Sequence, residues 1–154
     1  MRKIAKLLLV GFLVVLLTGC GEDLVETKTC TKQMDGYVST YKWSATNDNI
    51  TDVYLTIVYD NSIFNVDSLA SLDDATKEQV KVNMLNSLGL SDGDHEGLDI
   101  DIVIEDQMTI YLKADLDKAD AEVLQKVGMD YKTGTNRSFK TAIAASENDG
   151  YTCK

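Results

Sequence analysis

Two adjacent stretches of the chain alternate between apolar and polar residues. Their apolar positions are Leu98, Ile100, Ile102, Ile104, Met108, Ile110, Leu112 and Ala114. Successive side chains of a strand point to opposite faces, so each stretch predicts a strand with one buried and one wet side. Asp106 and Gln107 lie between the two stretches. The pattern therefore predicts an antiparallel hairpin whose apolar side must be covered by other elements.

The first half of the chain also predicts strands. Period-two patterning, rich in β-branched and aromatic residues, extends over 27–33, 37–45 and 50–59. Asp35-Gly36 and the polar cluster 46–49 are typical of turns. Within the second strand Tyr37, Tyr41 and Trp43 share one face. We expect these three aromatic side chains in the core; the alternative is a stacking platform for sugar or peptide.

The segment after the first strands has helical spacing. Its apolar residues recur three and four positions apart, at Val80, Met84, Leu85 and Leu88. Ser71 is expected at the N-cap with Asp74 three residues later, where a carboxylate also favours the positive end of the helix dipole. Gly89 is suited to the position just beyond the helix end.

Two further helices are predicted in the last third of the chain. Asp117 is expected to cap one that ends at Gly128, and Ser138 is expected to cap another. The predicted order is strands, helix, hairpin, helix, helix. This order is typical of an α+β fold, an antiparallel sheet of hairpins with about three helices packed on one face.

The N-terminus has the pattern of a secretory signal. Arg2, Lys3 and Lys6 precede an apolar run over 7–17, which is shorter than the about 20 residues that a spanning helix needs. Leu17-Thr18-Gly19-Cys20 resembles the lipobox of bacterial lipoproteins. The resemblance implies cleavage before Cys20 and a diacylglyceryl thioether on its sulfur. The alternative is an ordinary signal followed by an accidental cysteine.

The lipobox resemblance implies a division of the chain and a location. Residues 1–19 would form the signal peptide, 20–26 a lipidated acidic tether and 27–154 a single domain. The mature protein would then be lipid-anchored to the cell membrane on the extracytoplasmic side. Two chains on one cysteine suffice for such anchoring, because each buried CH₂ contributes roughly 0.8 kcal/mol.

The charge of the mature chain limits its partners. Loss of three positive residues with the signal takes the formal net charge from −10 to −13. A domain this acidic is repelled by phosphate backbones and anionic headgroups. We therefore expect no nucleic-acid partner, and a membrane contact that depends on lipid at Cys20 rather than on charge.

Two cysteines remain when Cys20 carries lipid. Cys30 and Cys153 form an even pair in an oxidising compartment, which favours a disulfide over the alternative of two free thiols. In the chain-entropy model a bridge closing about 100 residues stabilises a fold by roughly 4.7 kcal/mol. Their spacing excludes a C-x-x-C redox pair.

The sequence offers no strong catalytic constellation. His95 is the only histidine, it lies in an acidic, loop-like segment, and no Gly-x-Ser-x-Gly motif accompanies it. Asp99, Asp101 and Glu105 fall on the wet side of one strand, where carboxylates are solvated. We therefore predict that the protein is not an enzyme and holds no cofactor.

The segment around His95 partly matches a calcium-binding loop. Asp92, Asp94 and Glu96 fit the first three ligand positions of an EF-hand, but Val103 stands where a bidentate acid is required. We predict no metal site and keep these three acids as weak candidates. A polar turn between helix and strand is the simpler interpretation.

The layout as a whole resembles the YehR-like small bacterial lipoproteins. The shared features are the lipobox, a short acidic tether, a cysteine-bearing first strand, hairpins, helices and the closing sequence Asp149-Gly150-Tyr151-Thr152-Cys153-Lys154. The resemblance implies a single α+β domain and no activity or catalytic residue. Our functional expectation is a non-enzymatic surface lipoprotein that interacts with an envelope protein or small ligand. The alternative is a cation- or ligand-binding module that uses Asp92–Asp101.

Overall fold

The computed structural model describes residues 23–64, 66, 68–90, 95–129 and 137–154. The elements within these ranges are, in chain order, β1 Val25–Met34, β2 Tyr37–Thr46, β3 Asn49–Tyr59, a 3₁₀ turn Asn61–Phe64, α1 Asp74–Ser87, β4 Leu98–Ile104, β5 Met108–Asp115, α2 Ala121–Lys126, α3 Phe139–Asn148 and β6 Thr152–Cys153. The strands form one antiparallel sheet in the order β4-β5-β3-β2-β1-β6. The predicted α+β fold is confirmed.

The core lies on one side of this sheet. The register places Val53 of β3 opposite Ala114 of β5, and Ala114 opposite Leu98 of β4. Most inward residues of β2 to β5 are buried, Trp43 and Met108 among them, and Tyr41, Ile57 and Ile100 are partly buried. All three described helices pack against this inward side. The predicted β4–β5 hairpin has its turn at the expected place, with Asp106 and Gln107 between the strands.

The N-cap of α1 differs from the prediction. Asp73, not Ser71, caps the helix, because its carboxylate accepts a hydrogen bond from the Thr76 backbone N–H at 2.8 Å. The same bond holds the pKa of Asp73 below its usual value. Ser71 instead donates from its hydroxyl to the Ser68 carbonyl. Ser71, Asp73 and Asp74 can all accept a capping hydrogen bond, so the sequence left the first residue of the helix ambiguous by two positions.

The start of α2 also differs from the prediction. Asp120, not Asp117, accepts the hydrogen bonds from the backbone N–H groups of Glu122 and Val123. Residues 116–119 form a turn, because the backbone N–H of Ala119 bonds back to the Asp115 carbonyl at 2.8 Å. The ends at Gly89 and Gly128 are confirmed, both with positive φ, and Ser138 caps α3 as predicted.

The boundary between the predicted tether and the domain differs from the prediction. Strand β1 begins at Val25, so Val25 and Glu26 belong to the sheet rather than to a linker. Pairing of Val25 with Thr46 of β2 starts the ladder there. The sequence-based boundary rested on the acidity of the segment, whereas backbone pairing with a full-length neighbouring strand decides where the strand begins.

The β2–β3 turn is a junction of three parts of the fold. Its residues Asn47 and Asp48 both have positive φ, as a two-residue hairpin turn of the favoured kind requires. The Asp48 carboxylate accepts from the Ser138 hydroxyl at 3.0 Å and from the Lys140 backbone N–H at 2.9 Å. The latter bond is the main reason that the pKa of Asp48 lies below its ordinary value. The turn therefore fixes the N-terminus of α3.

A disulfide joins the chain end to β1. Cys30, which is fully buried, bonds to Cys153 across a separation of 123 residues. The two residues are also direct neighbours in the β1–β6 ladder, and the backbones of Thr29 and Lys154 exchange hydrogen bonds of 3.0 and 2.8 Å. The predicted bridge is confirmed, and it holds the last strand on the sheet edge.

Loss of this bridge should weaken the fold markedly. We expect Cys30→Ser together with Cys153→Ser to lower the free energy of unfolding by about 2–5 kcal/mol, because the denatured chain regains the entropy of an open loop. Denaturant unfolding of the mature domain measures this, with the exposed neighbour Thr31→Ser as control. An unchanged midpoint, or alkylation of both thiols in the folded unreduced domain, would contradict the prediction.

Candidate functional site

The side of the sheet away from the helices carries a continuous polar surface. We call it the open face; its central residues are Val38, Thr40, Lys42, Tyr54, Thr56, Val58, Asp99, Asp101, Val103, Thr109, Tyr111 and Lys113. Tyr54 is 37% exposed and Tyr111 is 48% exposed. No described helix packs on this side, since the helices contact the inward residues. Among the described residues, the open face is therefore a surface that the helices leave uncovered.

The register orders the open face into rows that cross the strands. One row runs from Lys42 through Tyr54 and Lys113 to Asp99. The next row runs from Thr40 through Thr56 and Tyr111 to Asp101. Each row has an aromatic ring near its middle and a carboxylate at the β4 edge.

Tyr54 lies between two cations. The Nζ atoms of Lys42 and Lys113 are 5.7 and 5.8 Å from the centroid of its ring. Ammonium groups at this distance are attracted to the ring quadrupole, by about 0.5–1 kcal/mol at exposed sites. The two lysines therefore keep the ring oriented while leaving it partly exposed, an arrangement suited to contact with a flat or polar partner.

A depression of about 540 Å³ crosses the β3–β5–β4 part of the sheet. Its lining combines the inward residues Leu55, Ile100 and Leu112 with Leu85 of α1 and His95, and it includes their strand neighbours Tyr54, Tyr111 and Lys113. A volume of this order matches small-ligand sites, but such sites bury most of the ligand among apolar walls. Because Leu85 and the inward leucines pack on the helical side of the sheet, this depression is not a feature of the open face.

Of the three aromatic residues expected in the core, Trp43 is buried there, Tyr41 packs against it, and Tyr37 is half-buried. Trp43 is 2% exposed and stacks on Tyr41 with centroids 5.2 Å apart. Tyr151 meets Tyr41 edge-on at 5.8 Å. Tyr37 and Tyr59 pair at 5.5 Å, and burial of Tyr59 raises its pKa above the usual value. These rings serve packing between the sheet and its cover.

Of the three weak metal-ligand candidates, only Glu96 lies within the described residues. Asp92 and Asp94 lie outside the described residues, while Glu96 is exposed in the turn before β4. Within the described ranges, no three histidine, cysteine or acidic side chains are close enough to hold a metal ion. The presence of glycine at position 97 has a structural explanation, because a Cβ atom there would collide with the backbone of Ala119. Asp99 and Asp101 lie on β4 and belong to the open face.

His95 stands at the start of β4. It forms an isolated bridge with Leu98 and is half-buried. Its Nε2 atom is buried without a hydrogen-bond partner among the residues described. His95 therefore lies in the turn before β4, and its side chain is less exposed than that of a histidine in a solvated loop.

Tyr54 and Tyr111 were not singled out from the sequence. Each interrupts the polar half of an otherwise alternating strand, and an aromatic residue on the wet side was the available signal. What the sequence does not contain is the pairing order. Only the placement of β5 beside β3 brings the two rings into neighbouring rows.

Comparisons with known proteins support the fold. No protein family and no curated protein matches the sequence. Among solved structures, the NMR structure of Escherichia coli YehR is similar over 85% of this chain and 91% of that one, with a TM-score of 0.63 and 11% identity. An NMR structure of a Streptococcus pneumoniae protein is similar over 100% and 99%, with a TM-score of 0.51 and 14% identity. The resemblance to YehR therefore holds at the level of the fold.

In the part of the chain that the structure describes, no helix is long and apolar enough to cross a membrane. The apolar run of residues 7–17 and the candidate lipidation site Cys20 lie outside the described residues.

The acidic segment should bind calcium weakly at best. Calcium requires six to eight oxygens, and β4 already begins at Leu98, which places Asp99 and Asp101 in a strand rather than a loop. We expect an affinity no better than about millimolar, by calorimetry on the mature domain. A stoichiometric micromolar isotherm that Asp94→Ala abolishes would contradict this expectation and favour a cation-binding module.

Proposed function

We propose that this protein is a non-enzymatic, extracytoplasmic domain that is anchored through lipid on Cys20 and binds an envelope protein or small ligand through the open face. The observation that carries the proposal is the pair of exposed rings in adjacent rows of a sheet face that no described helix covers. Tyrosine provides a large contact area with a polar end, and for this reason it is enriched at interfaces.

The charge pattern of the open face supports a polar partner. Lysines flank Tyr54 in the middle of the sheet, and Asp99 and Asp101 are exposed on the edge strand β4. The presence of positive and negative charges within two rows favours a partner whose own charges are complementary and in a fixed register. Such charges determine specificity and association rate more than total affinity.

The N-terminal sequence supports the location. Basic residues, a short apolar run and Leu17-Thr18-Gly19-Cys20 are the parts of a lipoprotein signal. A lipid anchor would hold a domain of net charge −13 at a membrane whose surface repels it.

The anchor depends on one sulfur atom. We expect Cys20→Ala to abolish incorporation of radiolabelled fatty acid and to leave uncleaved precursor or released protein. Metabolic labelling and membrane fractionation measure both effects, with the exposed Thr31→Ser as the control that retains Cys20 and the disulfide. A mutant that still matures and sediments with membranes through a covalent lipid would show the lipobox interpretation to be wrong.

The open face should contact the partner directly. We expect a photoreactive phenylalanine analogue at Tyr54 or Tyr111 to crosslink to a discrete product in intact membranes. The same analogue at Val82, which is 42% exposed on the helical side, is the matched control. Products of equal size and yield from all three positions would contradict binding through the open face.

A further inference from the structure

The first described residues of the chain are fixed to the β2–β3 turn. Asn47 accepts a hydrogen bond from the Leu24 backbone N–H at its Oδ1, 3.0 Å away, and its own backbone N–H donates to the Leu24 carbonyl at 2.9 Å. Its Nδ2 donates to the Asp23 carboxylate at 2.7 Å. Three bonds therefore hold the arm before β1 against one end of the sheet.

We call these three hydrogen bonds the Asn47 clamp. Only a short segment of chain separates the clamp from the candidate lipid. Leu24 lies four residues after Cys20. Four residues span at most about 14 Å even when fully extended. The β2–β3 turn and the N-terminus of α3, which Asp48 binds, must therefore remain within a short distance of a lipid attached at Cys20.

The same end of the molecule exposes apolar side chains. Leu24 is 61% exposed and Val25 is 70% exposed. The opposite end, with the β1–β2 turn at Asp35, is one strand length away, about 30 Å for the ten residues of β2. The far end exposes Ile63, at 42%, beside Gly36, so the clamped end has the larger apolar exposure and is the end within reach of the anchor.

We infer that the end of the sheet formed by Leu24, Val25 and the β2–β3 turn is a docking surface for the lipid bilayer, and that the Asn47 clamp fixes the orientation of the domain on it. This inference rests on the lipid anchor of the proposed function. Contact of Leu24 and Val25 with the interface adds apolar burial to that of the acyl chains. The strands then stand away from the membrane, and the open face remains accessible from the side.

The test compares the two ends of the sheet in the lipidated protein on vesicles of pure phosphatidylcholine. A fluorophore is attached through Asn49→Cys at the clamped end or Asp35→Cys at the far end, and a headgroup-bound acceptor quenches it. We expect at least about two-fold stronger quenching from position 49, because a strand of this length separates the sites by about 30 Å. Equal quenching in protein that floats with the vesicles would overturn the docking surface.

Asn47→Gly tests the clamp, because glycine keeps the positive φ of this residue while removing the side-chain bonds. We expect the quenching difference between positions 49 and 35 to shrink in this variant and to persist in Asn86→Gly, a control at an exposed residue of α1. An undiminished difference in Asn47→Gly would overturn the role of the clamp. Protein that carries no lipid and does not float indicates failure of the proposed anchor instead.

Discussion

Burial of one side of the sheet determines the rest of this structure. The inward residues of β2 to β5 are apolar apart from a few such as Ser39, and they pack under all three described helices. Each buried aliphatic or aromatic side chain contributes about 1.5–3 kcal/mol relative to its exposed state. Because strand residues alternate, the same pairing that buries Val53 and Leu112 turns Tyr54 and Tyr111 outward. The open face is thus a direct geometric consequence of the core.

Strand β1, which lies between β2 and the short edge strand β6, depends on more local interactions. Its inward side carries few large apolar residues, and Lys28 and Lys32 share that side with Cys30. The disulfide to Cys153 and the cation–π contact of Lys32 with Tyr151, at 5.5 Å, compensate for the smaller apolar burial. At the other end of β1, the Asn47–Asp48 turn binds both the arm and α3. The β2–β3 turn therefore connects the start of β1 to helix α3.

Period-two alternation predicted the fold class, the β4–β5 hairpin and the burial of Trp43, since the pattern reflects burial directly. Helix starts were less predictable because Ser71, Asp73 and Asp74 are all competent caps, and backbone geometry selects among them. The open face could not be predicted as a site, because its rows combine residues 42, 54, 113 and 99, which only the strand order brings together. The partial burial of His95 could not be predicted because it depends on how the turn before β4 packs in the folded domain.

Hydroxyl-radical footprinting of the membrane-attached protein tests the central claim most directly. Oxidation of Tyr54 and Tyr111 is compared between intact cells and the purified domain, with Val82 on the helical side as reference. If the open face binds a partner, both tyrosines are protected in cells while Val82 is oxidised equally in both samples. Equal oxidation of the tyrosines in the two samples would contradict the account.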